Sequence, residues 1–493
     1  MAGKGCIISK GRLPWTLLML FVLALAAFLI FRPREDALPE ARPVPQGLPK
    51  YQLTLRLSDE EHTLAVTEEI RYRNDTGDTL DRLVIRTWLN AFKTEETSPA
   101  ALEEMYDACY SAGFSPGYAA VYDVMWNGER ADWAYVNADE TALAVSIPAC
   151  QPGEEGQLFL RCVLHIPECR HRTGYSAGEY RLGNAVPLLS VYENGQWRTE
   201  EYAPVGDPFV SLCADFSVTL YVPEGFVPVC SAELTQDQLG AWRGEICAAR
   251  DVGVWVKKGC VQCFGQGGQT KITSFAETED QARRALKYAC QAMETFSGLY
   301  GPAPYDHLFV CQADFPFGGM EYPGMIWLGK GNYLESRADT LEVTAAHETA
   351  HQWFYALVGS DQFYAPWQDE ALCEYAMLRY VRERYGFFSY ETLKAARVDA
   401  PMQEAIPGAL TPGSPVDYFA SYSDYAAVVY GRGAALLVAL DEMLPQGTDD
   451  FLRAYAEAFA YQMVSRGQFE EFLNRYAGMD LSPLLLDYLD TLP

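Results

Sequence analysis

The run Thr344-Ala345-Ala346-His347-Glu348-Thr349-Ala350-His351-Gln352-Trp353 holds residue types at a spacing that can do chemistry. On a helix, positions 347 and 351 lie one above the other, with Cβ atoms about 5–6 Å apart. Two imidazoles so placed can reach one tetrahedral metal ion. Glu348, one step round the helix, can then reach a water bound to that metal. The chain has only six histidines, so this His-Glu-x-x-His spacing is a specific signal for zinc. The plainer account is two ordinary core or surface histidines. A catalytic zinc takes three protein ligands and a water, so a third ligand must come from elsewhere in the chain.

The elements that must position these groups have their own signals. Asp339 is the expected N-cap of the motif helix, with Glu342 completing a capping box, and Gly359 is the expected stop after Val358. A second helix is predicted to open at Pro366-Trp367 and to stop near Gly386. It carries Glu370, which follows His351 with 18 residues between, enough for a loop and an antiparallel helix. Glu370 would complete a His₂Glu set. Glu374, one turn on and on the same face, is the rival ligand, or else bonds a ligand histidine from behind. Spacing alone does not separate the two.

At 493 residues the chain is too long for one core, and its 49% hydrophobic and 13% aromatic content is ample for several. A net charge of −28 argues against nucleic acid or an anionic membrane surface as the main partner. Leu13 to Phe31 run with almost no polarity, close to the ~20 residues that cross a bilayer as a helix. Lys4, Lys10 and Arg12 precede that run, which favours the N-terminus inside and the body outside. A cleaved signal peptide ending at Ala24-Leu25-Ala26 is the alternative. The apolar run outlasts the ~7–15-residue core of such peptides, so an uncleaved anchor is the expectation.

Residues 32–50, with five prolines, read as an extended spacer. From Tyr51 the pattern alternates with period two, in runs at 51–57, 62–74, 80–89, 142–147, 157–166 and 216–222. His165 and His171 lie in or beside these strands without a ligand-spaced companion and read as structural. After residue 270 strands mix with helices, and the pattern is helical from 339 onward. The expected organisation is α+β and multidomain: a short cytoplasmic tail (1–12), a transmembrane anchor (13–31), a Pro-rich linker (32–50), a β-rich domain (51–268) and a mixed, mostly helical catalytic domain (269–493). Of 13 cysteines, twelve follow the anchor, a number that permits disulfides without assigning them. Cys260-x-x-Cys263 has no second pair and reads as an ordinary turn, while Cys6 would face the cytoplasm as an acylation candidate.

With Trp353 two residues past the second histidine, His347-Glu348-x-x-His351-x₁₈-Glu370 resembles the gluzincin peptidases of the M1 aminopeptidase family. The family's Trp-x-x-Glu-Gly-Phe-Ala stands here as Trp367-Gln368-Asp369-Glu370-Ala371-Leu372-Cys373, and the match assigns the zinc carboxylate to Glu370. Gly318-Gly319-Met320-Glu321-Tyr322 is similar to the family's Gly-x-Met-Glu-Asn, with Tyr322 in place of Asn. The resemblance implies that this segment pairs with the substrate backbone, that Glu321 holds the free α-amino group, and that the glycines allow close approach. Tyr425-Ala-Ala-Val-Val-Tyr430-Gly431-Arg432-Gly433 is similar to Tyr-x-x-x-x-Tyr-x-Lys-Gly, which gives Tyr430 the oxyanion-donor role.

These matches imply a saddle-like β-rich N-domain, a thermolysin-like catalytic domain with a small mixed sheet, and one Zn²⁺ per chain on His347, His351 and Glu370. Glu348 is then the general base, and peptides are the substrates. The resemblance weakens over the β domain, where Gly206-Asp207-Pro208-Phe209 carries it. Family members commonly continue into a long helical C-terminal domain. This sequence ends at Pro493, so that cover is expected to be absent or supplied otherwise. The expected activity is an anchored aminopeptidase. Alternatives are a zinc endopeptidase or longer-peptide hydrolase on the same site, indifferent to N-acetylation, and a catalytically silent surface binding or assembly protein of the same fold. The sequence specifies no oligomeric partner.

Overall fold

Alternation from Tyr51 onward builds an eight-stranded sheet, because every second side chain has one face to bury. In Lys50–Ser58 the inward set is Tyr51, Leu53, Leu55 and Leu57. That strand lies mid-sheet, parallel to Ala214–Tyr221 on one side and antiparallel to Thr63–Arg73 on the other. Glu155–His165 and Tyr118–Trp126 extend the sheet beyond, and Trp242–Ala249 extends it at the far side. Two four-stranded sheets, one around Leu80–Arg86 and Ala142–Cys150 and one around Val254–Lys258 and Glu179–Leu182, complete a continuous apolar core. The third run ends at Arg86 rather than at Leu89. A 3₁₀ turn, Trp88–Lys93, follows it, with the Arg86 guanidinium stacked 3.7 Å over the Trp88 ring.

The computed structural model describes residues 42–491. The anchor expected at 13–31, the tail before it, Cys6 and most of the spacer lie outside the described residues. Among those described, no helix is long and apolar enough to cross a membrane. The spacer's last residues do not hang free: the Arg42 guanidinium donates to Tyr300 O at 2.7 Å, and the chain enters the large sheet at Lys50.

The second half is built on a five-stranded mixed sheet in the order Val261–Gly267, Thr270–Ala276, His307–Ala313, Met325–Gly329, Gly319–Tyr322. The division drawn at 268 thus falls at the turn of its first hairpin. The helix Glu279–Tyr300 packs across this sheet. It opens on a capping box, Thr278 with Gln281, and stops at Gly301 (φ +86). Ala282, Ala285, Ala289 and Ala292 line its buried face, and their small size lets the helix axis lie close to the strands. From residue 339 onward helices dominate, as the pattern predicts, apart from a two-residue parallel pairing of Gly359–Ser360 with Met463–Val464.

No disulfide forms among the described residues: all twelve described cysteines are free thiols, nine of them buried. Burial pushes the Cys230 thiol up to about 12, which keeps it protonated and inert.

Candidate metal centre

The motif helix spans Ala338–Ala350. Its ends differ from the expected ones. Asp339 lies inside the first turn and caps nothing, and Glu342 accepts hydrogen bonds from the hydroxyls of Tyr380 and Tyr385, each 2.7 Å away. Those two tyrosines come from the second helix, so a tertiary contact claims the carboxylate that a local capping box would have used. The helix stops at Ala350 rather than near Val358, and Gly359 begins the short strand instead. Trp353 drives the early stop. It is wholly buried, and its Nε1 donates to Gly301 O at 3.0 Å, which turns the chain away from the helix axis. His351 closes the helix with α-region backbone (φ −61, ψ −13), so both histidines stay on one face.

The second helix, Trp367–Tyr385, has the expected ends, with Gly386 (φ +83) just past it. Its buried first half brings three atoms together. Glu370 Oε2 lies 3.2 Å from His347 Nε2 and 3.5 Å from His351 Nε2, and the two Nε2 atoms are 3.1 Å apart. Glu374 is on the other side of His347, 3.3 Å from Nδ1 and off the line of a well-formed hydrogen bond. Arg397 holds it from behind at 2.7 and 2.8 Å. The choice left open by spacing is therefore decided by position: Glu370 converges with the imidazoles, and Glu374 backs one of them.

Asp369, which the sequence reading missed, backs the other. Its Oδ1 accepts from His351 Nδ1 at 2.7 Å, and Gln362 Nε2 donates to its second oxygen. Acidic residues in a first helical turn are ordinary complements of the helix dipole, which is why Asp369 gave no separate signal.

With Nδ1 of His351 bonded to Asp369 and Nδ1 of His347 facing Glu374, both Nε2 atoms point toward each other and toward Glu370. Three donors at this spacing repel unless a cation sits among them, and two imidazoles with one carboxylate suit zinc. Burial works against the charge on His347, but Glu370 and Glu374 overcome it and raise its pKa to about 9. Burial likewise opposes ionisation of Glu374, yet Arg397 and His347 hold it down at about 2.

Glu348 projects toward the edge strand Gly319–Tyr322, where a Cβ on Gly319 would overlap its carboxylate. The space expected for a substrate backbone at that glycine is thus filled by Glu348, while Gly318 has only Thr344 nearby, at 3.7 Å from an added Cβ. Burial pushes Glu348 up to about 7. Glu321 is 6% exposed, and its carboxylate falls with Glu348 and His351 in a second cluster whose polar atoms all lie within 4.8 Å of one another. Met320 lies beneath, with the buried Arg172 guanidinium 3.4 Å from its sulfur and paired to Asp207. Tyr430 stacks on His347, with ring centroids 5.4 Å apart and planes 21° apart. It sits on a π-helical segment, Ala426–Arg432, and burial with Glu370 nearby keeps its phenol protonated. Arg432 bonds the Pro401 and Glu404 carbonyls and stays clear of the site.

Residues 280–488 match the model of the peptidase family M1 domain. Those residues carry a peptidase family M1 domain. Among curated proteins, the chain is 28% identical to leukotriene A-4 hydrolase of Xenopus laevis over 249 residues, 48% of this chain and 37% of that one. It is 27% identical to aminopeptidase B of Rattus norvegicus over 356 residues, 63% of this chain and 50% of that one. It therefore spans half or less of the length of these relatives.

Among solved structures, an M1 zinc metallopeptidase mutant of Deinococcus radiodurans bound to a Tyr-Ser-Ala substrate superposes with a TM-score of 0.63 at 18% identity, over 91% of this chain and 96% of that one. Yeast LTA4 hydrolase in complex with bestatin does so with a TM-score of 0.63 at 15% identity, over 98% of this chain and 72% of that one. These likenesses show the α+β fold with its β-rich N-domain, and the M1 domain match together with the His347–His351–Glu370 cluster makes the cofactor Zn²⁺.

His165 and His171 are structural, as expected. His165 stacks on Tyr118 at 4.3 Å, and His171 is wedged between Phe92 and Phe317, where burial and two arginines hold it neutral.

Proposed function

We propose that this chain is a zinc aminopeptidase that removes the N-terminal residue of peptides, with His347, His351 and Glu370 holding the metal. The observation that carries this reading is the position of Glu321, a buried carboxylate within 4.8 Å of the general base and a metal-facing histidine. A carboxyl fixed there, whose pKa burial raises until a cation pairs with it, receives the substrate's α-ammonium and leaves room for one residue before the scissile bond. When bound, zinc supplies an acidified water and polarises the carbonyl.

The other steps belong to the chain itself. Glu348 takes the water's proton and delivers it to the leaving amine, a duty suited to a carboxylate held near 7. The Tyr430 phenol donates to the oxyanion as charge develops on it. The peptide-bound Deinococcus neighbour supports a peptide substrate for this fold. The deciding experiment compares a peptide with its N-acetylated form. Much faster cleavage of the free form is expected, and equal rates on both would refute the role of Glu321.

We also place the catalytic body outside the cytoplasm, tethered by residues 13–31, on the apolar length and flanking charge of that segment. Alkaline carbonate extraction of membranes tests this placement. Release of the full-length chain into the wash would contradict it.

A further inference from the structure

We infer that Gln352 is a positioning residue that sets the distance between the zinc ligands and Glu321, and so makes the site count residues from a free N-terminus. The inference rests on the aminopeptidase reading and deepens it.

Gln352 directly follows His351 and is 1% exposed. Its side chain reaches away from the imidazoles to the tip of the hairpin that carries Glu321. Nε2 donates to Tyr322 O at 3.0 Å, and Oε1 accepts from Gly324 N at 3.0 Å. Both ends of one amide are used on one turn, in the way a neighbouring strand would use its backbone. The hairpin needs such a partner. Gly319–Tyr322 is the edge of its sheet, paired on one side only, and its turn at Pro323-Gly324 is buried. A two-point bond from the residue beside a metal ligand ties the edge strand to the metal helix in both translation and rotation.

The strand is held at a second point by Tyr322. Its ring lies in a slot lined by two glycines of the β-rich half. A Cβ on Gly253 would come within 2.8 Å of Tyr322 Cγ, and one on Gly183 would overlap the phenol oxygen. That hydroxyl is buried without a hydrogen-bond partner, so it is the shape of the ring that matters. Trp327 closes the slot from the neighbouring strand, 4.7 Å away between ring centroids. Glu321, between these two fixed points, can shift little relative to His351. A carboxylate that selects an ammonium by position needs that rigidity, because a displacement of about 1 Å can cost about a hundredfold in rate.

The test is the ratio of kcat/KM for a free peptide to that for its N-acetylated form, with zinc per chain measured alongside. In Gln352→Met, which keeps the volume and removes both bonds, the ratio is expected to fall by about tenfold or more while zinc stays at one per chain. Tyr322→Phe is expected to leave the ratio at the parent value. A Gln352→Met enzyme that slows equally on both substrates would overturn the inference, since loss of general structure moves both rates together. A parent enzyme indifferent to acetylation would overturn the aminopeptidase reading instead. Should Gln352→Met fail to fold, Gly183→Ala decides from the other side. It is expected to lower the ratio, with partial recovery in Gly183→Ala/Tyr322→Phe, and an unchanged ratio in Gly183→Ala would overturn the inference.

Discussion

Asp369 and Glu374 give the two imidazoles what a bare His-Glu-x-x-His motif lacks, a fixed orientation for each ring. One carboxylate faces each outer nitrogen, at 2.7 and 3.3 Å, and both are buried beneath the ligands. Their loss is felt by the metal, whereas loss of Glu348 is felt by the proton it carries. Asp369→Asn is therefore expected to weaken zinc binding by about 10–100-fold, read by competition with a chromogenic chelator. Glu348→Gln should bind zinc normally and lose about a thousandfold in kcat. Near-parent turnover in Glu348→Gln would end the general-base assignment. Exchange of the two phenotypes would reverse the roles.

The edge strand and the metal helix meet at a point where one of them can carry no side chain. Gly319 lies against the Glu348 carboxylate, so the strand sits one Cβ closer to the helix than any other residue would allow. Gly319→Ala must push the strand off or turn Glu348 aside. Overpacking of this kind costs about 1–3 kcal/mol of stability, while misplacing the base is expected to lower kcat by about a hundredfold. Thermal unfolding and steady-state rates measured on one preparation separate the effects, and parent-like turnover would contradict the contact. At this scale the sequence was legible in the bodies of elements and less so at their ends. The helix Trp367–Tyr385 begins and stops where Pro366 and Gly386 put it. The motif helix does neither, because Trp353 and the Tyr380–Glu342 bond act across elements.

Across the whole molecule, the two halves share buried polar groups that tie stability to pH. Arg250 bridges them, donating to Tyr355 O and Gln462 O at 2.8 Å each. Asp251 beside it is 2% exposed, accepts from Val252 N and from Asn184 Nδ2, and is pushed up to about 7 by burial. Burial also raises Glu68, whose two oxygens have no partner in the large sheet. For a carboxyl raised on folding, the folded state keeps the proton that the unfolded chain releases near pH 4. The stability it brings is full below that value and is lost as pH rises through about 7. Asp251→Asn cannot titrate, and Asn184, whose Oδ1 is unpartnered, can turn its amide to meet it. The variant should gain stability relative to the parent between pH 5 and pH 8, measured by urea unfolding. Parallel pH curves would refute the linkage.

The sequence by itself pointed to zinc chemistry and to candidate carriers for it. His347, Glu348 and His351 were readable from metal chemistry and helix periodicity, while Glu370, Glu321 and Tyr430 were marked by the resemblance to M1 motifs. The sequence also carried the change from period-two alternation to mixed elements. Spacing left Glu370 and Glu374 open on one helix face; the resemblance chose Glu370, and the tertiary structure supplies the reason, since the two reach opposite sides of His347. Only the tertiary structure brought in Asp369, Gln352 and the Gly183–Gly253 slot. Their roles depend on contacts between segments far apart in the chain, and spacing along one segment holds no record of such distances.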